Sequence, residues 1–352
     1  MVKITFAPPV EDQLKYMHRC LQLAALGIRK TAPNPMVGAV LVYEDHIIGE
    51  GYHTRHGAPH AEIEAFNSVK EKSLIPASTL YVSLEPCNHY GKTPPCTEAI
   101  IRNGIKKVVI AHQDPFAKVN GEGINKLQSE GIEVQIGVLE NEARFLNRRF
   151  ITFHTRKRPY IILKWAMSAD GFMGLQGKNI RISNEESRIL THKWRSEEQA
   201  ILVGAGTVAT DDPELNTRFW PGEHPLRVIL DTRGELKSDA KIFNGLQPTL
   251  VLTSNSKQTY PSATTIQLPG LNNRITEAME ELYTRNIQSI LVEGGRITLN
   301  QFIEKGFWDE IRIFQSDENL QTGILAPELN IPPTSIQAIG NNSLITIFHP
   351  NR

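Results

Sequence analysis

Two series of alternating helix and strand signals, separated by one basic segment, restrict this chain more than any other feature. In the first series, Leu14, Met17, Leu21, Ala24, Ala25 and Ile28 recur at helical spacing and predict an amphipathic helix over 11–30. Apolar runs at Val37–Val42 and Ile47–Ile48 then predict a hairpin. A helix from about His60, a strand over 79–84, a helix from about Pro95, a strand over 107–111, a helix near 122–130 and a strand over 132–136 follow. The segment Asn147–Pro159 is basic and ends in proline. A second series begins at a strand over 160–166. Ser183 with Glu186 reads as a capping box for a helix running to about Arg195. Further strands are expected at 200–203, 227–230, 250–253 and 289–292, with a helix after Gly295. Such alternation implies α/β sheets with helices on their faces. The expected division is one domain over 1–148, a linker over 149–158 and a second domain over 159–352.

Composition narrows the function classes. The chain has 352 residues, about two domains at roughly 150 residues each. Lys plus Arg and Asp plus Glu number 38 each, so the charge is balanced and a non-specific nucleic-acid binder is not expected. No apolar run approaches the roughly 20 residues that a bilayer requires, and no secretory signal is visible, so no membrane association is expected. Three cysteines, Cys20, Cys87 and Cys96, do not make a disulfide scaffold. A cytoplasmic location is the natural expectation, since it leaves thiols free to bind metal.

His60-Ala61-Glu62 opens one predicted helix, Pro86-Cys87 closes a strand, and Cys96 begins another helix. One imidazole and two thiolates make a three-ligand zinc site whose fourth position is open to water. Zinc lowers the pKa of that water, and Glu62, two residues beyond the first ligand, can move its proton. This is the pattern of a zinc nucleobase deaminase, with His60, Cys87 and Cys96 on the metal and Glu62 catalytic. Eight residues separate the cysteines where tRNA and cytidine deaminases usually have two. The insert offers His89 and Lys92, an imidazole and a cation suited to a phosphorylated substrate.

The runs TAPNPMVGAV, GYHTRHGAPHAEIEA and LEPCNHYGKTPPC, with Asp114-Pro115, resemble the deaminase half of the bifunctional riboflavin-biosynthesis deaminase–reductases. The resemblance implies a cytidine-deaminase-like three-layer α/β/α domain in which Asn34, His53, His89 and Lys92 contact the pyrimidine or its ribose phosphate. Beyond the basic segment, Arg158-Pro159-Tyr160 to Lys164, Ser168-Ala169-Asp170-Gly171, the ILVGAGTV run at 201–208, Asp211-Asp212-Pro213 and Leu291-Val292-Glu293-Gly294-Gly295 resemble the family's reductase half. That half is expected to be a dihydrofolate-reductase-like α/β domain that uses NADPH. By resemblance, Lys164, Asn179, Arg195, Leu215, Arg218 and Glu293 contact the substrate, while Met167, Arg181, Thr207, Asp211 and Gly295 contact NADPH. The chain departs from the family's usual residues at Phe116, Phe172, Asn179 and Arg181. Independently of the family, strand–Gly-x-Gly–helix and strand–Gly-Gly–helix elements leave helix N-termini for an anion.

The expected activity is loss of the 2-amino group from 2,5-diamino-6-ribosylamino-4(3H)-pyrimidinone 5′-phosphate, followed by NADPH reduction of the ribosyl chain. Its partners are then a small phosphorylated pyrimidine and further copies of the chain as a homo-oligomer, not nucleic acid. Two other readings stand beside it. One is a stand-alone nucleobase or tRNA deaminase with an inactive second domain. The other is a structural zinc domain fused to a nucleotide sensor.

Overall fold

Alternate residues of the strand Gly38–Tyr43 (β1) enter opposite cores, and this two-residue period builds the first half of the chain. The computed structural model describes residues 11–90, 94–115, 121–178, 180–255, 258–268 and 273–350. They fall into two compact units, Met1–Arg156 and Lys157–Arg352.

In the first unit, the helix Glu11–Ala25 (α1) precedes β1 and buries Tyr16, Met17, Cys20, Leu23 and Ala24 along one stripe. It stops well short of the expected residue 30, and turns fill the interval. A two-residue turn joins β1 to the strand His46–Tyr52 (β2). Its residues Glu44 and Asp45 both have positive φ, at 44° and 59°, the geometry that suits the twist of a hairpin. Tyr16 Oη donates to the Asp45 carbonyl at 2.7 Å and pins that turn to α1.

There follow the helix Ala61–Ser68 (α2), the strand Thr79–Val82 (β3), the helix Cys96–Arg102 (α3) and the strand Lys107–Ile110 (β4). The helix Glu122–Ser129 (α4), the strand Glu133–Ile136 (β5) and the helices Glu140–Leu146 (α5) and Arg148–Arg156 (α6) complete the unit. The sheet order is β2-β1-β3-β4-β5, antiparallel through β3 and parallel from β3 to β5. Ala39 and Leu41 join a core with α2, α3 and α4, whereas Val40 and Val42 join a core with α1 and α5. The result is a three-layer α/β/α sandwich.

The segment expected as a linker is a helix for most of its length. Phe150 and Phe153, one turn apart on α6, are buried in the first unit. The basic residues drew the sequence reading toward an exposed connection, but they occupy the other positions of an amphipathic helix.

The second unit runs through the strand Tyr160–Met167 (β6), the helix Glu185–Glu197 (α7), the strand Ala200–Gly204 (β7), the helix Ala205–Asp211 (α8) and the strands Leu226–Leu230 (β8), Thr249–Thr253 (β9) and Thr264–Gln267 (β10). It continues with the helix Arg274–Thr284 (α9), the strand Ser289–Val292 (β11), the helix Arg296–Glu304 (α10) and the strands Glu310–Gln315 (β12), Ser335–Ile339 (β13) and Asn342–Phe348 (β14). The sheet order is β10-β9-β8-β7-β11-β6-β12-β14-β13, parallel from β10 to β12 and antiparallel at β14 and β13. Its central strands are buried on both faces, which is why they read as continuous apolar runs. The late strand β11 returns to lie between β6 and β7, so the carboxyl ends of these three strands stand side by side.

The cap of α7 differs from the expected Ser183–Glu186 box. Asn184 is the cap residue, and its Oδ1 accepts the Ser187 N–H at 2.9 Å. Its Nδ2 donates to the Ile339 carbonyl at 2.6 Å, so the residue also ties α7 to β13. Asn184→Ala is expected to cost about 1 kcal/mol and Ser183→Ala to be near neutral. Urea unfolding of the two variants checks this, and equal effects would return the cap to Ser183.

Candidate functional site

His60 occupies the N-cap position of α2 in extended backbone, which sets its ring at the mouth of that helix. Cys96 is the first residue of α3 and fully buried, and Cys87 lies in the loop after β3. The three meet there. His60 Nδ1 stands 3.2 Å from Cys96 Sγ and 3.5 Å from Cys87 Sγ, and all three donor atoms lie within 4.8 Å of one another. The Cys96 backbone N–H points at Cys87 Sγ at 3.4 Å. The Cys96 thiol donates to Cys87, which holds Cys87 down at about 4 and pushes Cys96 well up. The Cys87 hydrogen bond raises His60 to about 8. One imidazole and two sulfurs from a strand end and two helix starts are a zinc donor set. Among the described residues the group has no fourth member, so a tetrahedral ion keeps one position for water.

Glu62 sits in the first turn of α2, 3% exposed, with its carboxyl at the Cys96 thiol. Burial raises its carboxyl above the ordinary value. His53 is also buried, with its ring edge-on to His60 at 5.4 Å. Its Nδ1 lies 3.0 Å from the Pro59 carbonyl, which can only accept, so Nδ1 carries the hydrogen. Its Nε2 then accepts from Asn34 Nδ2 at 3.1 Å. Burial lowers the His53 pKa, which agrees with a neutral ring. His53 therefore orients Asn34 and has no ring nitrogen left over. His89 is exposed, and Lys92 and Phe116 lie outside the described residues.

In the second unit Glu293, directly after β11, receives both Nε and Nη2 of Arg195 at 2.7 and 2.9 Å. Lys164 on β6 approaches the same carboxylate at 3.7 Å. The three side chains are only 10–13% exposed. Burial alone would raise the Glu293 carboxyl, but the charges of Arg195 and Lys164 overcome it and hold the group at about 2. Burial lowers Lys164 against the pull of Glu293. Met167 ends β6 and is partly buried against the main core. Arg218 is half exposed and bonded to Asn216 Oδ1 at 2.8 Å. The Leu215 side chain is buried in the core beneath the sheet. Arg181 is mostly exposed and reaches Glu185 at 3.8 Å, and Asn179 lies outside the described residues.

The glycines after β7 and β11 divide in purpose. A Cβ on Gly204 would lie 2.5 Å from Thr298 Oγ1, and one on Gly294 would lie 2.7 Å from Thr298 Cβ. Both positions thus admit the start of α10, a packing role beside any anion-binding one. Gly206 faces open space. The α10 N-terminus has no side-chain cap, and the Gly295 N–H donates to Thr207 Oγ1 at 2.9 Å. Asp211 is exposed at the end of α8. Open space at Gly206 beside an uncapped helix start suits a pyrophosphate.

Residues 159–316 match the RibD C-terminal domain, and residues 10–112 match the cytidine and deoxycytidylate deaminase zinc-binding region. The riboflavin biosynthesis protein RibD of Aquifex aeolicus is 44% identical over 329 residues, 91% of either chain. That of Escherichia coli is 34% identical and covers 85% of this chain and 86% of its own. The chain belongs to the RibD family. Among solved RibD-type structures, the diaminohydroxyphosphoribosylaminopyrimidine deaminase/5-amino-6-(5-phosphoribosylamino)uracil reductase of Thermotoga maritima is 35% identical, with a TM-score of 0.89 over 96% of this chain and 98% of its own. RibD of Acinetobacter baumannii, 31% identical, gives 0.86 over 96% and 99%.

Two residues that the sequence reading passed over shape the deaminase half. Asn147 is buried and clamps the backbone of Met36, accepting its N–H and donating to its carbonyl, both at 2.8 Å. It thereby fixes the loop that presents Asn34. Glu85 is buried two residues before Cys87 and accepts four backbone N–H groups. A carboxylate so close to a proline–cysteine pair was the available signal.

Metal analysis is expected to give about one zinc per chain in the wild type and a large loss in Cys87→Ser. Full retention of zinc in that variant would exclude Cys87 from the donor set. Glu293, ordinarily near 4.5 and held at about 2, stabilises the fold above pH 4.5, and this contribution fades as pH falls toward 2. The stability gap between wild type and Glu293→Gln is therefore expected to shrink between pH 7 and pH 3 in urea titrations. A constant gap would contradict the ion-pair account.

Proposed function

We infer that the chain is a bifunctional deaminase–reductase of riboflavin biosynthesis. It hydrolyses the 2-amino group of 2,5-diamino-6-ribosylamino-4(3H)-pyrimidinone 5′-phosphate to ammonia. It then reduces the ribosyl chain, giving 5-amino-6-ribitylaminouracil 5′-phosphate. The observation that carries this reading is that both halves, each with its own polar cluster, lie within one continuous similarity to RibD proteins.

In the deaminase half, His60, Cys87 and Cys96 hold zinc, which when bound supplies the Lewis acidity that makes water a nucleophile near neutral pH. Glu62 takes the proton of the attacking water. It returns protons to the ring nitrogen and to the departing amine, so that one water is consumed and one ammonia released. Asn34, set by His53, receives the pyrimidine edge. His89 and Lys92 serve the ribose phosphate.

In the reductase half, NADPH when bound supplies hydride to C1′ of the opened sugar. Glu293, fixed by Arg195, accepts a sugar hydroxyl, and Lys164 places its cation beside that carbon. Asn179, Leu215 and Arg218 complete the substrate side, with Arg218 toward the phosphate. Met167, Arg181, Thr207, Asp211 and the α10 start around Gly295 serve the cofactor. No helix among the described residues is long and apolar enough to cross a membrane. A reducing cytoplasm is the compartment proposed, because Cys87 and Cys96 must stay reduced to bind metal.

Glu62→Gln is expected to keep its zinc and lose deamination by about 100-fold or more. NADPH consumption on the deaminated substrate should persist in that variant, since the second cluster does not use Glu62. Ammonia release and absorbance at the NADPH band measure the two steps. Undiminished ammonia release would remove Glu62 from its role, and a wild type that leaves NADPH unconsumed would remove the reductase.

A further inference from the structure

We propose that Glu85 is a positioning residue for deamination, whose carboxylate ties the loop after β4 to the strand end that carries Cys87. The inference rests on the functional reading above. Oε2 of Glu85 accepts the N–H groups of Asp114 at 3.2 Å and Gly121 at 3.0 Å. Those two residues bracket segment 115–120, so one oxygen draws both ends of the loop together. Oε1 accepts the N–H groups of Gly123 at 2.9 Å and Ile124 at 3.3 Å, in the first turn of α4. The Glu85 N–H donates in turn to the His112 carbonyl at 3.1 Å, on the near side of the same loop.

A helix start needs acceptors for its first N–H groups, and a residue at the cap position usually provides one. Here the N-cap is Gly121, at φ 87° and with no side chain to offer. The capping role passes to a carboxylate from another element, two residues from a metal ligand. The junction is tight on its other side as well. A Cβ on Gly123 would lie 2.0 Å from the carbonyl oxygen of Pro86, the residue between Glu85 and Cys87.

β3 and β4 are parallel neighbours, and ligands of α/β sheets bind at the carboxyl ends of such strands. The loop after β3 carries Cys87. The described residues on the β4 side, Asp114 and the start of α4, are bonded to Glu85 and so stand beside the loop that carries Cys87. Glu85 therefore sets the spacing between the metal-binding loop and these neighbours.

Glu85→Gln keeps the side chain's size and replaces one oxygen with NH2. Either amide orientation puts NH2 against two N–H donors, so one pair of hydrogen bonds is lost whichever way it turns. Gly123→Ala forces the same junction apart from the opposite side. In at least one of these variants, zinc is expected to stay near one per chain and the KM for deamination to rise about tenfold or more, with a smaller change in kcat. NADPH reduction of the deaminated substrate should be unchanged, which shows that the chain is folded. The proposal is overturned if neither variant shows this split, whether because KM is unshifted, because zinc and deamination are lost together, or because both activities fall together. A wild type that does not deaminate overturns the functional reading, and this inference with it. Wild-type turnover with unshifted variants overturns this inference alone.

Discussion

A three-donor metal site requires backbone from distant parts of the chain to converge within a few ångströms. The first unit achieves this beyond the carboxyl end of its central strand. β3 runs beside β1, so the loop after it reaches the starts of α2 and α3, which both pack on the same sheet face. His60 and Cys96 stand at helix starts, where side chains lie beside unbonded N–H groups, and the Cys96 amide itself points at Cys87. The neighbouring parts of the site depend on this convergence. Glu62 is aimed by being two residues into α2, and the His53 ring is held against that of His60.

The second unit solves a similar problem with strand order. Because β11 returns between β6 and β7, Glu293 emerges beside Lys164, and α7 brings Arg195 across to it. The buried carboxylate is tolerable only because both cations reach it, and each cation is tolerable because of the carboxylate. The same order places the starts of α8 and α10 next to each other, joined by the Thr207–Gly295 hydrogen bond.

The meeting of His60, Cys87 and Cys96, with Glu62 buried beside them, was legible in the sequence because such chemistry belongs to side chains. Most strands of the parallel sheets were legible because burial on both faces leaves apolar runs. Glu85 and Asn147 were not, since their partners are backbone groups that any residue carries. β12 was missed for a different reason: Glu310 and Arg312 resemble a solvent face but form a buried pair at 2.6 Å, with Arg312 lying 4.5 Å over the Trp194 ring. β13 is largely exposed and offers almost no apolar alternation. The surroundings of Leu215 and His53 were not legible either: the Leu215 side chain is in the core, and both ring nitrogens of His53 bond to neighbours.

The helix that replaced the expected linker decides where this chain can be divided. A fragment ended at residue 148 would keep Asn147 and its hold on Met36, but would strip away the turns that bury Phe150, Thr152 and Phe153. An autonomous N-terminal half therefore extends through Arg156. A C-terminal half must retain Arg158, whose guanidinium grips Asp309 at 2.6 and 2.8 Å. Only the peptide around Lys157 is left for a protease, an engineered break or a natural gene fission to separate the two activities.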